Sequence, residues 1–429
     1  MTKKTHLEYM RVLDEIERNR NKMIDFLVNL IKYPSLIGNE YPIQKFIANK
    51  LKEIDLKVEL WEPDVNLLLK HEAFIPYEEI INLKYKNRPN VVGILKGKGR
   101  GKSIILNGHI DVVTPEPINE WLLDPYLGDI KNGMVIGRGA VDMKSGLAAM
   151  IFALESIHNI GISLKGDVIF QSVIDEEYDG AGSLSCILKG YKADGVLIAE
   201  PSNLNIFIAH AGVARFNILV NGKSVHPSRK SKGVSSIDKA IKIYRYLKCL
   251  DKERKSLVEN KLFNKNIYPD ITGVLVSSIN AGSWRSTVPA NTKMHCRIGF
   301  LPEESIEKVK SEVEKTLEKA SINDIWLRKN PPKFEMVGFV EPASLEINEP
   351  IINIMKLSYK ELFKKEAEIK GAPAGSDMRL FINYAKIPTI WFGPGSLEKA
   401  HSANEAVSID EYINATKVIA LFLLNWCGY

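Results

Sequence analysis

The sequence predicts an α/β protein: a mixed central sheet flanked by helices, with a smaller α+β domain inserted into it. Three observations carry that expectation. Apolar runs rich in β-branched residues alternate with amphipathic helical stretches through the first half of the chain. The rhythm changes near Phe207 and returns after Glu341. The 429 residues are also too many for one compact core, since domains usually hold about 100–200.

Leu7–Lys32 reads as one amphipathic helix. Strands follow at Asn90–Leu95, Ser103–Val113, Asp167–Ile174 and Gly195–Ala199. A helix at Lys144–Ile160 carries Leu147, Ile151, Leu154 and Ile157 on one face. Strands apolar on both faces belong to a sheet covered on both sides. From Phe207 the order becomes strand Gly212–Val220, helix Ser235–Asp251, strands Ile271–Asn280 and Thr292–Phe300, helix Pro302–Ala320 and strand Lys333–Gly338. The first of these helices is expected to pack through Ile237, Ile241, Tyr244 and Leu247, the second through Ile306, Val309, Val313 and Leu317. Strand Thr292–Phe300 alternates, with Met294, Cys296, Ile298 and Phe300 opposite Lys293, His295 and Arg297, as in a sheet covered on one side. This βαββαβ order is ferredoxin-like. Helix Glu349–Lys364, strand Thr389–Phe392 and a last helix from Ile409 complete the chain. Ser408 and Glu411 open that last helix at capping-box spacing. The expected boundaries are 1–206 with 341–429 for the large discontinuous domain, and 207–340 for the insert.

With 45% apolar and 26% charged residues, the composition is that of a soluble globular protein and excludes disordered and collagen-like chains. The net charge of +6 is weak over this length and no dense basic run occurs, which argues against a nucleic-acid partner. Cys186, Cys249, Cys296 and Cys427 form no CxxC pair. Met1–Arg20 lacks the apolar core of a signal peptide, and the longest apolar stretch, Val418–Leu424, is far short of the ~20 residues a membrane span needs. A cytoplasmic location without membrane association is the expectation. Leu95–Ser103 imitates a phosphate loop, but Lys96 stands where its first glycine belongs, and a strand follows.

The chemistry gathers at strand ends. His109 and Asp111 lie in NGHIDVV, two apart and so on one face. Asp142 lies in GRGAVDMKSG, Glu176 and Glu177 end VIFQSVIDEE, Glu200 ends VLIAE, and His401 lies in KAHSANE. Sites in open α/β sheets form at the carboxyl ends of strands. Taken singly, each residue has an ordinary reading: a structural histidine, a helix cap at Asp142, a solvated turn at Glu176–Glu177, a strand terminator at Glu200. Together, so many carboxylates at one edge would repel one another unless cations compensated them. Two divalent ions do so, and mixed nitrogen and oxygen donors suit zinc, with cobalt or manganese as substitutes.

These motifs resemble those of the dinuclear zinc amidohydrolases that include acetylornithine deacetylase, succinyl-diaminopimelate desuccinylase, aminoacylase and glutamate carboxypeptidase. The resemblance spans nearly the whole chain and implies a zinc-peptidase-like catalytic domain with a lid and dimerisation insert. It implies that His109 and Glu200 hold one metal, Glu177 and His401 the second, and Asp142 bridges both. Glu176 is implied as the base that takes a proton from a metal-activated water, and Asp111 as the carboxylate orienting His109. A cis peptide after Asp142 is implied as well. The resemblance assigns His226, in GKSVHP, to the oxyanion in a neighbouring subunit's site, hence a homodimer. It assigns Arg379, in GSDMR, to a substrate carboxylate, which its planar fork suits; a salt bridge with Asp377 is the alternative. One departure is Thr114, where many relatives have Pro. Glu rather than Asp at position 200 goes with acylases more than aminopeptidases. The expected activity is removal of an N-acyl group from a small-molecule amino acid or related amine. A di- or exopeptidase, an N-formyl aminopyrimidine deformylase and a catalytically silent ligand-binding relative are the alternatives, and an intact Glu176 argues against the last.

Overall fold

The computed structural model describes residues 3–76, 85–256 and 258–429. They divide into two compact units, one made of 1–208, 345–370 and 376–429, the other of 209–344 and 371–375.

The first unit is built on a mixed sheet. Its strands run in the order Lys57–Trp61, Asn90–Leu95, Val168–Val173, Ile104–His109, Val196–Ile198, Thr389–Trp391 and Ile206–His210. The four from Val168–Val173 to Thr389–Trp391 are parallel to their neighbours, and the pairings outside them are antiparallel. The central strands are buried along their whole length, as their unbroken apolar runs require. Helix Ser145–Asn159 is buried over most of its surface, and the last helix, Ile409–Cys427, packs against it. Ser408 caps that last helix by accepting the N–H of Glu411 at 3.4 Å.

The opening segment is two helices, Lys3–Arg18 and Arg20–Ile31, rather than one. Asn19 explains the break. Its amide donates to the Glu15 carbonyl at 2.9 Å, a local bond that competes with helix continuation. The predicted strand Ser103–Val113 ends at His109. Beyond it the chain leaves the sheet, and the site begins there.

The second unit has the βαββαβ order, with a four-stranded antiparallel sheet running Val274–Ala281, Asn291–Phe300, Gly212–Asn221, Lys333–Val340. Met294, Cys296, Ile298 and Phe300 face its core together with Val309, Val313 and Leu317 of helix Ile306–Ile322. Helix Ser236–Ser256 corrects the expected face. It packs through Ala240, Ile243, Leu247 and Leu250, whereas Ile237, Ile241 and Tyr244 are 39%, 45% and 38% exposed. The helix carries two apolar stripes, and periodicity alone cannot say which one is buried.

Candidate metal centre

Register brings the acidic groups together. His109 ends its strand opposite Val173, so the turn after Val173 starts beside it. Asn107 pairs with Ile198, which places Glu200 just past the neighbouring strand end. Thr389–Trp391 lies next, and the loop after it leads to His401. The cluster thus sits at the carboxyl ends of adjacent parallel strands. Helix Ser145–Asn159 approaches the same edge closely: a Cβ on Gly146 would stand 1.9 Å from the carbonyl oxygen of Ala199, so only glycine fits.

Asp142 is the centre of the arrangement. Its Oδ1 lies 3.0 Å from His109 Nε2 and its Oδ2 lies 3.2 Å from His401 Nε2. Glu200 Oε1 is 3.3 Å from the same His109 nitrogen, and Glu177 Oε2 is 2.9 Å from the His401 nitrogen. His109, Glu176 and Glu200, and likewise His109, Asp142 and Glu177, each bring their ligand atoms within 4.8 Å of one another. The Asp142–Met143 peptide is cis, as the resemblance implied. Asp175 and His401 have φ of 67° and 60°, left-handed conformations that cost about 1–3 kcal/mol each and that tertiary contacts must hold in place.

Burial pushes Asp111 up to about 7, Glu200 up to about 8 and Glu176 well above the usual carboxylate range. Burial acts on Asp142 in the same sense, but the imidazoles of His109 and His401 outweigh it and hold Asp142 low. Burial disfavours a charged His109, yet Glu200 and Asp142 raise it well above its ordinary value. Hydrogen bonds to Asp142 and Glu177 carry His401 up to about 10. Positive charge among these groups relieves every raised carboxylate. The donors, two imidazoles and several carboxylates, are those that hold divalent cations such as zinc.

Other sequence expectations fare differently. His109 Nδ1 is met at 2.9 Å by the main-chain oxygen of Asp111, not by its carboxylate, which lies 3.8 Å away. That carboxylate instead accepts the N–H groups of Glu176 at 3.3 Å and Glu177 at 3.2 Å. Asp111 therefore orients His109 through its backbone, while its side chain fixes the turn that bears both glutamates. Arg379 is 2% exposed and donates from Nη2 to the Asp179 carbonyl at 2.9 Å. So placed, its guanidinium also serves as counter-charge to Asp377 and Asp179. His226 belongs to the second unit. It is exposed there, and its Nδ1 lies 2.8 Å from Ser228 Oγ and accepts the Ser228 N–H at 3.3 Å.

Three buried charged residues carry no signal in the sequence. Glu405 and Arg138 form an ion pair of 2.6 Å beside Asp142. Lys144 donates to the carbonyls of Leu30 and Tyr33 at 3.1 and 2.7 Å, satisfying the end of helix Arg20–Ile31. All three lie inside or next to the motifs, but a charged side chain gives no sequence sign that it is buried.

The chain is similar to several known proteins. A B. subtilis protein named N-formyl-4-amino-5-aminomethyl-2-methylpyrimidine deformylase is 30% identical over 96% of both chains. A protein of Staphylococcus aureus named probable succinyl-diaminopimelate desuccinylase is 24% identical over 92% of this chain and 95% of its own. A dipeptidase of Saccharomyces cerevisiae shares the fold, with a TM-score of 0.76 at 16% identity over 98% of this chain and 99% of its own. The model of Peptidase family M20/M25/M40 matches residues 105–425, a span that takes in every residue of the acidic cluster. The chain belongs to that family and is a metal-dependent amidohydrolase.

Proposed function

We propose that this chain removes an N-acyl group from a small-molecule amine by a two-metal mechanism, with Glu176 as general base. One observation carries the reading. Asp142 turns one oxygen to each of two imidazoles, and each imidazole is paired with a second carboxylate, Glu200 or Glu177. Two ligand sets sharing one carboxylate are what a dinuclear centre requires. His109, Asp142 and Glu200 would hold one cation, and Asp142, Glu177 and His401 the other, with zinc suited to the donors and cobalt or manganese able to replace it. Bound there, the cations supply Lewis acidity, polarising an amide carbonyl and acidifying water.

The remaining work falls to the protein. Among the described residues, the Glu176 carboxylate has no hydrogen-bonding or ion-pair partner, so it is available to take a proton from water and return it to the leaving nitrogen. Asp111 holds the Glu176 and Glu177 N–H groups and so sets where both carboxylates stand. We assign the second unit the role of lid and dimerisation domain. His226 accepts at Nδ1 from the Ser228 N–H, which puts its own proton on Nε2, the form needed to donate to an oxyanion. The exposed Ile237, Ile241 and Tyr244 suit a homodimer contact. Among the described residues no helix is long and apolar enough to cross a membrane, and the four free thiols fit a cytoplasmic location.

A second reading, deformylation of an N-formyl aminomethylpyrimidine, is favoured by one observation. The deformylase relatives are 29% and 30% identical over nearly full length, against 24% for the desuccinylase. The test is metal analysis of the purified protein with chelator-sensitive hydrolysis of N-formyl, N-acetyl and N-succinyl amines. Two metals and turnover on one acyl class are expected. Two metals with no turnover on any would support the ligand-binding alternative.

A further inference from the structure

We propose that Glu405 is the positioning residue of the metal centre, the group that sets Asp142 between its two imidazoles. The inference rests on the two-metal reading above. Glu405 is 1% exposed, and its carboxylate receives four donors. Arg138 Nη1 and the N–H of Gly139 reach Oε2 at 2.6 and 3.1 Å. The N–H groups of Val141 and Asp142 reach Oε1 at 2.7 and 3.0 Å. Three of the four therefore come from the backbone of the loop that ends in Asp142, one of them from Asp142 itself.

The fold explains why this glutamate can do so. Strand Ala406–Ser408 pairs antiparallel with Met134–Ile136, Ala406 against Ile136, and the Gly137 N–H donates to the Glu405 carbonyl at 2.9 Å. That register sets Glu405 directly opposite the start of the loop. Gly139, at φ 84°, then turns the chain through a left-handed conformation, so that its own N–H and those two and three residues on converge on one carboxylate. Glu405 also stands four residues beyond His401, and Arg138 Nη2 reaches the His401 carbonyl at 3.4 Å. One buried ion pair thus ties together the two segments that carry Asp142 and His401. A loop rotated about this anchor would move the two oxygens of Asp142 relative to both rings. Groups that orient metal ligands in this way typically change metal affinity by about 10–100-fold when lost.

Glu405→Gln tests the idea in the full-length protein loaded with cobalt. The glutamine amide must face either Arg138 and Gly139 or Val141 and Asp142, so either orientation loses two of the four bonds. Cobalt affinity is expected to fall about 10–100-fold by competition titration, and the ligand-field absorption bands to change. Glu405→Asp keeps the charge and should recover part of both, and it supplies the comparison should Glu405→Gln not fold. Wild-type cobalt affinity and spectrum in these variants, with only a lower thermal midpoint, would show Glu405 to be merely structural and overturn the proposal. If wild-type protein itself takes up no cobalt, the two-metal reading fails, and this inference with it.

Discussion

Two acidic clusters sit at the end of one strand, and they differ in how their charge is met. Glu40, Arg88 and Asp175 form the first, with Arg88 donating to Glu40 at 2.6 Å and to Asp175 at 2.7 Å, all three 1% exposed or less. The second starts one residue later, at Glu176. There, among the described residues, the cationic partners of Asp111, Asp142, Glu177 and Glu200 are the imidazoles of His109 and His401, and Glu176 has none. Fully ionised, these carboxylates would outnumber the rings even with both rings protonated. A guanidinium is a permanent cation built into the chain, so the first cluster is a fixed brace, and it helps to hold Asp175 at its left-handed φ of 67°. Histidines beside surplus carboxylates leave a place for cations from solution. Adjacent residues on one turn thus divide into scaffold and chemistry according to the source of their counter-charge.

The largest expected effect separates the two halves of that turn. Glu176→Gln should lower turnover about 10²–10⁴-fold while bound metal stays at the wild-type level. Loss of metal together with activity would make Glu176 a ligand, a possibility its grouping with His109 and Glu200 makes worth measuring by metal analysis. In the brace, Arg88→Met should leave Glu40 and Asp175 buried without their cation and cost about 3–5 kcal/mol in urea unfolding. Added metal should not restore it. An unchanged midpoint would mean that the two carboxylates simply share a proton, and the contrast between fixed and exchangeable cations would weaken.

Metal removal should divide the clusters in the same way. Dialysis against a chelator is expected to abolish hydrolysis, and zinc, cobalt or manganese to restore it. The native state should lose the binding contribution, about 2.7 kcal/mol where free metal stands at a hundredfold its Kd. Calorimetry of metal-free and reloaded protein measures the difference. The same thermal midpoint in both forms would show that the second cluster needs no cation.

How much of this was legible depends on where each residue's partners lie. His109, Glu177 and Glu200 are readable because each follows a parallel strand end in a short motif, and such ends lie together; Asp142 and His401 are readable from motifs in the loops beyond. Glu405 sits in one of those motifs too, but its role depends on loop N–H groups more than 260 residues earlier in the chain, and no local pattern reveals them. Arg379 meets the Asp179 carbonyl 200 residues earlier in the chain, a partner that no local pattern reveals either. The apolar stripe Ile237–Ile241–Tyr244 was assigned to the core because periodicity finds an apolar face without saying what covers it. Asn19 interrupts a helix that apolar spacing joins, its side-chain amide bonding both the carbonyl and the carboxylate of Glu15.

The smallest effect belongs to a third, half-open version of the same device. In the second unit Asp324 takes Lys239 at 2.9 Å and Lys242 at 3.4 Å, and it caps helix Ile325–Lys329 by accepting the N–H groups of Trp326 and Leu327. Burial would raise its pKa, but the Lys239 hydrogen bond and the cap bonds prevail and lower it from 3.8 to about 2. A carboxylate depressed on folding contributes stability above its unfolded value and loses it as pH falls through the folded one. The Asp324 contribution should therefore be complete above pH 4 and decline towards pH 2. Asp324→Ala should cost about 0.5–2 kcal/mol at neutral pH, mostly through the lost cap, because ion pairs open to solvent on one side are screened by water and salt. The deficit should shrink in acid. A penalty as large as that of Arg88→Met would show that solvent exposure, which separates this brace from the buried one, matters less than the number of bonds each carboxylate accepts.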